Sequence, residues 1–319
     1  MTFSSKVKPN YSGLPLPEYL AKRFTYRTID DWREHIAAGR ITRNGVVADA
    51  SAQVRTDDMI VYDPPAFTEP EADLAFSITY EDEWLLGVNK PGNLLVHRAG
   101  KAVTHNLMYL LRTGANGRAF PHAGSVNRLD RETSGLVMIA KTPEALTAMN
   151  RLLAARMIAK EYLAVVEGSI NPPAGVIDHP VGKDPAFPTG CRQWVDVPGA
   201  RSAVTRYETI RMIGERHSLV RLFPETGRTH QVRVHLAWSG HPIAGDSMYS
   251  RSGDARQPRN ADGKIGATHG CRELIFRQAL HCARLVFQHP FTERECVMNA
   301  GMPDDMVRLC RALDPGFEP

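Results

Sequence analysis

Near the middle of this 319-residue chain, residues 127–141 read Asn-Arg-Leu-Asp-Arg-Glu-Thr-Ser-Gly-Leu-Val-Met-Ile-Ala-Lys, which puts one carboxylate between two guanidinium groups. Asp130 lies between Arg128 and Arg131, and Thr133-Ser134-Gly135 shape a tight turn that opens into an apolar strand. A free aspartate has a pKa of about 4; a neighbouring guanidinium keeps it ionised, while burial pulls the other way. Held in that balance, Asp130 is fit to act as a nucleophile or a base. An isolated aspartate between arginines would read as a surface ion pair, but three other segments argue against that reading. Asn89-Lys90-Pro91-Gly92 is a strand running into a Pro-Gly turn, with Lys90 at the turn. Lys160-Glu161-Tyr162-Leu163-Ala164-Val165-Val166 is a strand with Lys160, Tyr162, Ala164 and Val166 on one face. Glu225-Thr226-Gly227-Arg228-Thr229-His230-Gln231 leads into a segment expected as a helix capped by Thr229 and running to Gly240, although Val232, Val234 and Leu236 also fit strand alternation.

The elements that must position these residues fall into two groups. In the first, residues 18–24 and 29–38 have amphipathic helical spacing, with Asp30 as the expected cap of the second helix and Gly39 as its end. Residues 40–47 are a strand, an Asn44-Gly45 turn and a second strand, a strong hairpin signal, and a further strand covers 59–62. Pro64, Pro65 and the acidic stretch Glu69, Glu71 and Asp73 suit a semi-rigid linker over 63–75. From 76 to 300, short apolar strands at 85–88, 136–140, 163–166, 218–223 and 285–287 alternate irregularly with helical stretches such as 143–157. That irregularity points to an α+β fold. Residues 1–14 and 301–319 are expected as terminal tails. Two polar, Gly/Pro-rich stretches, 183–201 and 250–270, are expected as long loops that either fold over a long substrate or stay as disordered insertions.

Arg-Leu-Asp-Arg-Glu-Thr-Ser-Gly-Leu from Arg128, followed in order by Thr226-Gly227-Arg228-Thr229-His230-Gln231, resembles the RluA-type pseudouridine synthases, which isomerise uridines in ribosomal and transfer RNA. Gly245-Asp246-Ser247-Met248-Tyr249 and Leu280-His281 match two further landmarks, so the resemblance spans roughly 76–290. It implies a mixed, mainly antiparallel sheet and a catalytic Asp130 that cleaves the bond from uracil nitrogen 1 to ribose and rejoins the base at carbon 5. It also implies that Tyr162 stacks on the target base, that Arg228 pairs with Asp130, and that Arg128 fills the space the uridine vacates. Lys90 and Lys160 match motif positions with a structural or phosphate-directed role. Asn127 stands where the family commonly has histidine, a difference expected to tune RNA contact and leave catalysis in place. Residues 15–62 resemble the RNA-binding domain of ribosomal small-subunit protein four, which implies an RNA-facing set of Lys22, Arg23, Arg27, Arg33, Arg40 and Arg43.

The residue types suit that chemistry. A base inside folded RNA must be extruded before it can react, and an aromatic platform recovers about 1 to 3 kcal/mol of the lost stacking. Asp130 attacking the ribose, adding to the ring, or abstracting a ribose proton are all open routes, and none needs a metal or an organic cofactor. Composition narrows the alternatives. Without a run of 18 apolar residues there is no case for a membrane span, and the polar start Met-Thr-Phe-Ser-Ser-Lys argues for the cytoplasm. The five cysteines have no Cys-x-x-Cys spacing, so neither a zinc ribbon nor a disulfide framework is expected. His230 and His235 share neither a helical His-x-x-x-His face nor one side of a strand, which counts against a metalloenzyme. Thr133-Ser134-Gly135 is not a nucleophile elbow. The net charge of +4 permits a polyanionic partner without requiring one. A cofactor-free monomer acting on RNA is the expectation, with ribosomal RNA favoured over transfer RNA; the rival is a noncatalytic ribosome-assembly protein on the same fold.

Overall fold

A computed structural model describes residues 2–25, 27–66, 68–115, 117–187, 191–249 and 274–319. The chain divides into two units, Met1–Thr68 and Glu69–Pro319.

The first unit comprises β1 (Phe3–Lys6), a 3-10 turn, α1 (Leu16–Arg23), α2 (Ile29–Ala37), β2 (Ile41–Arg43), β3 (Val46–Val47) and β4 (Met59–Tyr62), with strand order β1-β4-β2-β3. Asn44 and Gly45 both have positive φ (54° and 84°), the geometry that suits a two-residue hairpin turn to strand twist. The cap of α2 is Thr28 and not Asp30. The Thr28 side chain accepts from Asp31 N (3.1 Å) while Asp31 accepts from Thr28 N (2.9 Å), a reciprocal box that satisfies two donors at once. Residues 1–14 are not a tail: Phe3 pairs with Tyr62 across the β1–β4 ladder, and Val7 is buried in the core with Leu16, Trp32 and Ile60.

The second unit contains β5 (Ser77–Glu81), β6 (Leu85–Lys90), α3 (Leu107–Thr113), β7 (Gly124–Ser125), β8 (Ser134–Ala140), α4 (Pro143–Ala154), β9 (Ile158–Glu167) and β10 (Ala174–Asp178). It continues with β11 (Val181–Lys183), β12 (Gln193–Val195), β13 (Val204–Ile213), β14 (His217–Pro224), α5 (Gln231–Trp238), β15 (Leu280–Gln288), β16 (Glu295–Asn299) and α6 (Asp304–Leu313). Its ten-stranded sheet runs β10-β13-β14-β9-β15-β8-β6-β5, with β16 on β15 and β7 on β8. Among the described residues, β8–β15 is the parallel pair in an otherwise antiparallel sheet, so the α+β expectation holds. All seven residues of β8 are buried, which is why they read as a continuous apolar run.

Three boundary expectations change. The stretch expected as a linker already folds onto this unit from Glu69, whose carboxylate accepts the backbone N–H groups of Val103 (2.8 Å), Thr104 (2.9 Å) and His105 (2.9 Å). Residues 301–319 are not a tail, because α6 buries Met306, Leu309 and Cys310 against β14 residues such as Leu219. The 183–201 loop contains β12, which pairs with β11 in a hairpin (Val181 opposite Val195). The 250–270 loop lies outside the described residues.

Candidate active site

Asp130 lies in the loop that leads into β8, and that loop is fixed from several sides. Thr133 N donates to Asp130 O (3.2 Å), closing the turn. Gly135 has φ +107°, and a Cβ there would lie 2.3 Å from Cys282 O, so only glycine allows β8 to start this close to β15. Ser134 Oγ bonds His281 Nδ1 (2.9 Å), Gln278 Nε2 donates to Thr133 Oγ1 (2.7 Å), and Asn127 bonds Leu136 O and Met138 N of β8. Asn127 therefore pins the loop to the strand.

Lys90 is part of the same frame. The side chain is fully buried, and Nζ donates to the carbonyls of Pro91 (2.8 Å), Leu94 (2.8 Å) and Arg131 (3.2 Å). Burial pushes its pKa down to about 7. The expectation that Lys90 contacts RNA is corrected: it has no surface to offer a phosphate, and its donors are spent on loop carbonyls, including one beside Asp130.

The partner of Asp130 is also corrected. Arg233, in the first turn of α5, donates through Nη1 to Asp130 Oδ2 (2.9 Å), and through Nε and Nη2 to Asp246 Oδ2 (2.7 Å) and Oδ1 (3.0 Å). One buried guanidinium thus joins a fully enclosed aspartate to one whose side chain keeps 20% exposure toward the cleft. Burial alone would raise the Asp246 carboxyl, but Arg233 and the N–H groups of Met248 and Tyr249 hold it below the usual range. Burial would lower the Arg233 pKa; Asp246, then Asp130, raise it instead. The pairing keeps a positive charge against Asp130 in a poorly hydrated place.

Arg228 points elsewhere. Its Nε donates to Ser202 O (2.9 Å), and its pKa is lowered by burial and then by Arg201 and Arg156. The turn is locked by Gln231, whose Oε1 accepts from Thr226 Oγ1 (2.7 Å) and Arg228 N (3.0 Å) while Nε2 donates to Val204 O (2.9 Å). The cap of α5 is His230, with φ 57°, and not Thr229.

These groups line a cleft of about 770 Å³ containing Asp130, Tyr162, Lys160, Arg128, Arg156, Arg201, Arg228, His230 and Arg233. Tyr162 presents its ring from β9, and burial, followed by the neighbouring Cys282, pushes its phenol well above the usual range, so it stays protonated. Burial lowers the Lys160 pKa. A carboxylate beside an aromatic ring, rimmed by guanidinium groups, can take an unstacked base while the rim meets phosphates.

The structure brings Asp130, Tyr162, Arg128 and Lys160 together with Arg228 at the rim, and leaves Lys90 beneath. In the first unit Lys22 and Arg23 are exposed, and Arg40 Nη1 lies 3.3 Å from His35 Nδ1. Arg43 is tied to the buried Asp58 (2.7 Å), so its guanidinium is engaged internally, whereas Arg33 and Asp30 (2.9 Å) form an exposed surface pair that leaves Arg33 accessible. Sequence reasoning missed Arg233 and the part Asp246 plays. A signal for Arg233 was present: an arginine inside Val-Arg-Val-His-Leu on a buried helix needs a carboxylate.

The model of the RNA pseudouridylate synthase family matches residues 85–238. A ribosomal large subunit pseudouridine synthase D of Vibrio cholerae is 36% identical, over 96% of this chain and 93% of that protein. One from Escherichia coli K12 is 34% identical, over 99% and 95%. The solved structure of human RNA pseudouridylate synthase domain containing 4 superposes with a TM-score of 0.57 at 25% identity, over 74% of this chain and 92% of that one. Fold, cleft and relatives define an RNA-modifying isomerase. The chain belongs to the RNA pseudouridylate synthases, which convert uridine to pseudouridine in RNA.

Proposed function

We propose that this enzyme isomerises uridines of large-subunit ribosomal RNA with Asp130 as its catalytic group, and the observation that carries the reading is the Asp130–Arg233–Asp246 relay at the base of a cation-rimmed cleft. The extruded base stacks on Tyr162, and Arg128 occupies the vacated place. Arg156, Lys160, Arg201 and Arg228 meet the phosphates on either side of the target. Lys22, Arg23 and Arg40 of the first unit also hold RNA. The substrate class follows the relatives named for the ribosomal large subunit.

The reaction breaks the bond between N1 and ribose C1′, turns the uracil, joins C5 to C1′, and exchanges a proton on C5 for one on N1. No net oxidant or reductant enters, and the three routes open to Asp130 all use its carboxylate without a cofactor. Arg233 holds that carboxylate ionised and aimed while RNA seals the cleft. Among the described residues no helix is long and apolar enough to cross a membrane, and we place the enzyme in the cytoplasm as a monomer. Tritium release from C5 of uridine separates the substrates: release from unmodified large-subunit ribosomal RNA supports the reading, release from transfer RNA alone replaces the substrate, and binding without release favours a noncatalytic assembly role.

A further inference from the structure

His230 faces Asp130 with a proton whose position is fixed by its neighbours. The backbone N–H of Gln193 donates to the Tyr249 hydroxyl oxygen (2.9 Å), an interaction that can run only in that direction. The Tyr249 proton is then free to point at the other atom beside it, His230 Nδ1 at 2.8 Å. Nδ1 accepts in the tautomer that uses this proton, which is also the tautomer that turns an N–H and not a lone pair toward the Asp130 carboxylate. Burial lowers the His230 pKa, so the ring is neutral and its one proton sits on Nε2. Nε2 lies 3.7 Å from Asp130 Oδ2, and the residue lines the cleft.

The backbone supports the same aim. His230 takes φ 57° and ψ 14°, a left-handed conformation that costs a β-carbon-bearing residue energy, and places the ring at the N-terminal end of α5. Tyr249 is itself held, its ring stacked with Trp194 (centroids 6.5 Å) and its N–H bonded to Asp246 Oδ1 (3.2 Å). A strained residue with a fixed tautomer and one donor turned toward the reacting carboxylate is more than packing requires.

We propose that His230 is a second catalytic residue: a neutral imidazole whose Nε2–H donates a hydrogen bond to a carbonyl oxygen of the uracil as the bond from N1 to C1′ breaks. The electron pair of that bond passes to the uracil and spreads over its two carbonyl oxygens. A donor already in place stabilises this charge without moving its proton, which stays on Nε2 throughout. The same tautomer means that Nε2 has no lone pair to offer and is not the base that removes the C5 proton.

This inference rests on the isomerase reading and is tested beside it. Full-length wild type, His230→Gly, His230→Asn and Tyr249→Phe are compared for single-turnover tritium release and for affinity, on unmodified large-subunit ribosomal RNA tritiated at uridine C5. Glycine and asparagine both tolerate positive φ, so the backbone is preserved in each, while only asparagine restores a side-chain N–H. The expected results are a rate loss of about 30-fold or more for His230→Gly at unchanged RNA affinity, partial recovery in His230→Asn, and a loss of a few-fold in Tyr249→Phe, where the tautomer is no longer fixed. A His230→Gly rate within about threefold of wild type, or an asparagine variant no faster than glycine, overturns the proposal. Absence of release by wild type defeats the isomerase reading instead.

Discussion

Replacing Arg233 by lysine separates geometry from charge at the centre of the cleft. The guanidinium fork reaches Asp246 through Nε (2.7 Å) and Nη2 (3.0 Å), and Asp130 through Nη1 (2.9 Å). Lysine keeps the positive charge but presents a single point donor. That ammonium will settle on Asp246, which is 1% exposed and so bears the larger penalty for an unpaired charge. Asp130, still open to the cleft, loses its bond. A hydrogen bond between charged groups contributes about 1.5 to 3 kcal/mol, which is roughly 10- to 150-fold in rate if it orients the carboxylate in the reaction. Arg233 is only 5% exposed, so RNA affinity should not change. Single-turnover tritium release, with RNA affinity measured alongside, tests this. An Arg233→Lys enzyme as fast as wild type, or an equal rate loss in Arg228→Lys, would refute the reasoning.

Other outcomes follow from the same geometry. Arg228→Ala should weaken RNA binding and reduce the slope of log affinity against log salt by about one phosphate contact, with little change in the rate on saturating RNA; an unchanged slope would remove Arg228 from the phosphate track. Lys90→Met leaves the Pro91, Leu94 and Arg131 carbonyls without their donor and should cost about 2 to 4 kcal/mol in urea unfolding, whereas a neutral substitution would mean that the loop does not depend on them. His281 is neutral, its pKa pushed down to about 4 by burial from an ordinary 6.5, and it bonds Ser134 and Ala300 O (3.1 Å). Between these values the unfolded chain binds the extra proton, so this contribution is complete above pH 6.5 and falls by about 3 kcal/mol as the pH drops to 4. His281→Gln should flatten that acid slope in urea titrations; an unaltered slope would assign the loss to other buried histidines.

The central strands were legible because burial on both faces makes them near-continuous apolar runs, and β4 (Met59–Tyr62) and the Asn44-Gly45 hairpin followed from local chemistry alone. The site was legible as a set of segments, but its pairings were not. Arg228 and Arg233 are five positions apart, and which one meets Asp130 depends on α5 starting at Gln231, which leaves Arg228 on the preceding turn. The helix expected after Thr229 already left Arg228 outside it; the Arg228 pairing came from the resemblance, and the contact of Arg233 with an aspartate 103 positions away has no local signature. Lys90 was misread because one of its acceptors, the Arg131 carbonyl, is distant in sequence. For β1 the local pattern is only Phe3-Ser4-Ser5-Lys6, and its strand character comes from Met59–Tyr62 opposite it. The case of α6 is different, since Met306, Leu309, Cys310 and Leu313 have helical spacing and their pattern was there to be read.

The most direct test of Asp130 is tritium release from C5 of uridine in unmodified large-subunit ribosomal RNA, wild type against Asp130→Asn. The asparagine keeps the side chain's size and one acceptor for Arg233 but removes the charge that every open route requires. Release by wild type and none above background by Asp130→Asn, at matched RNA affinity, is the predicted result. Substantial release by the Asp130→Asn enzyme would contradict the assignment of the reaction to this carboxylate.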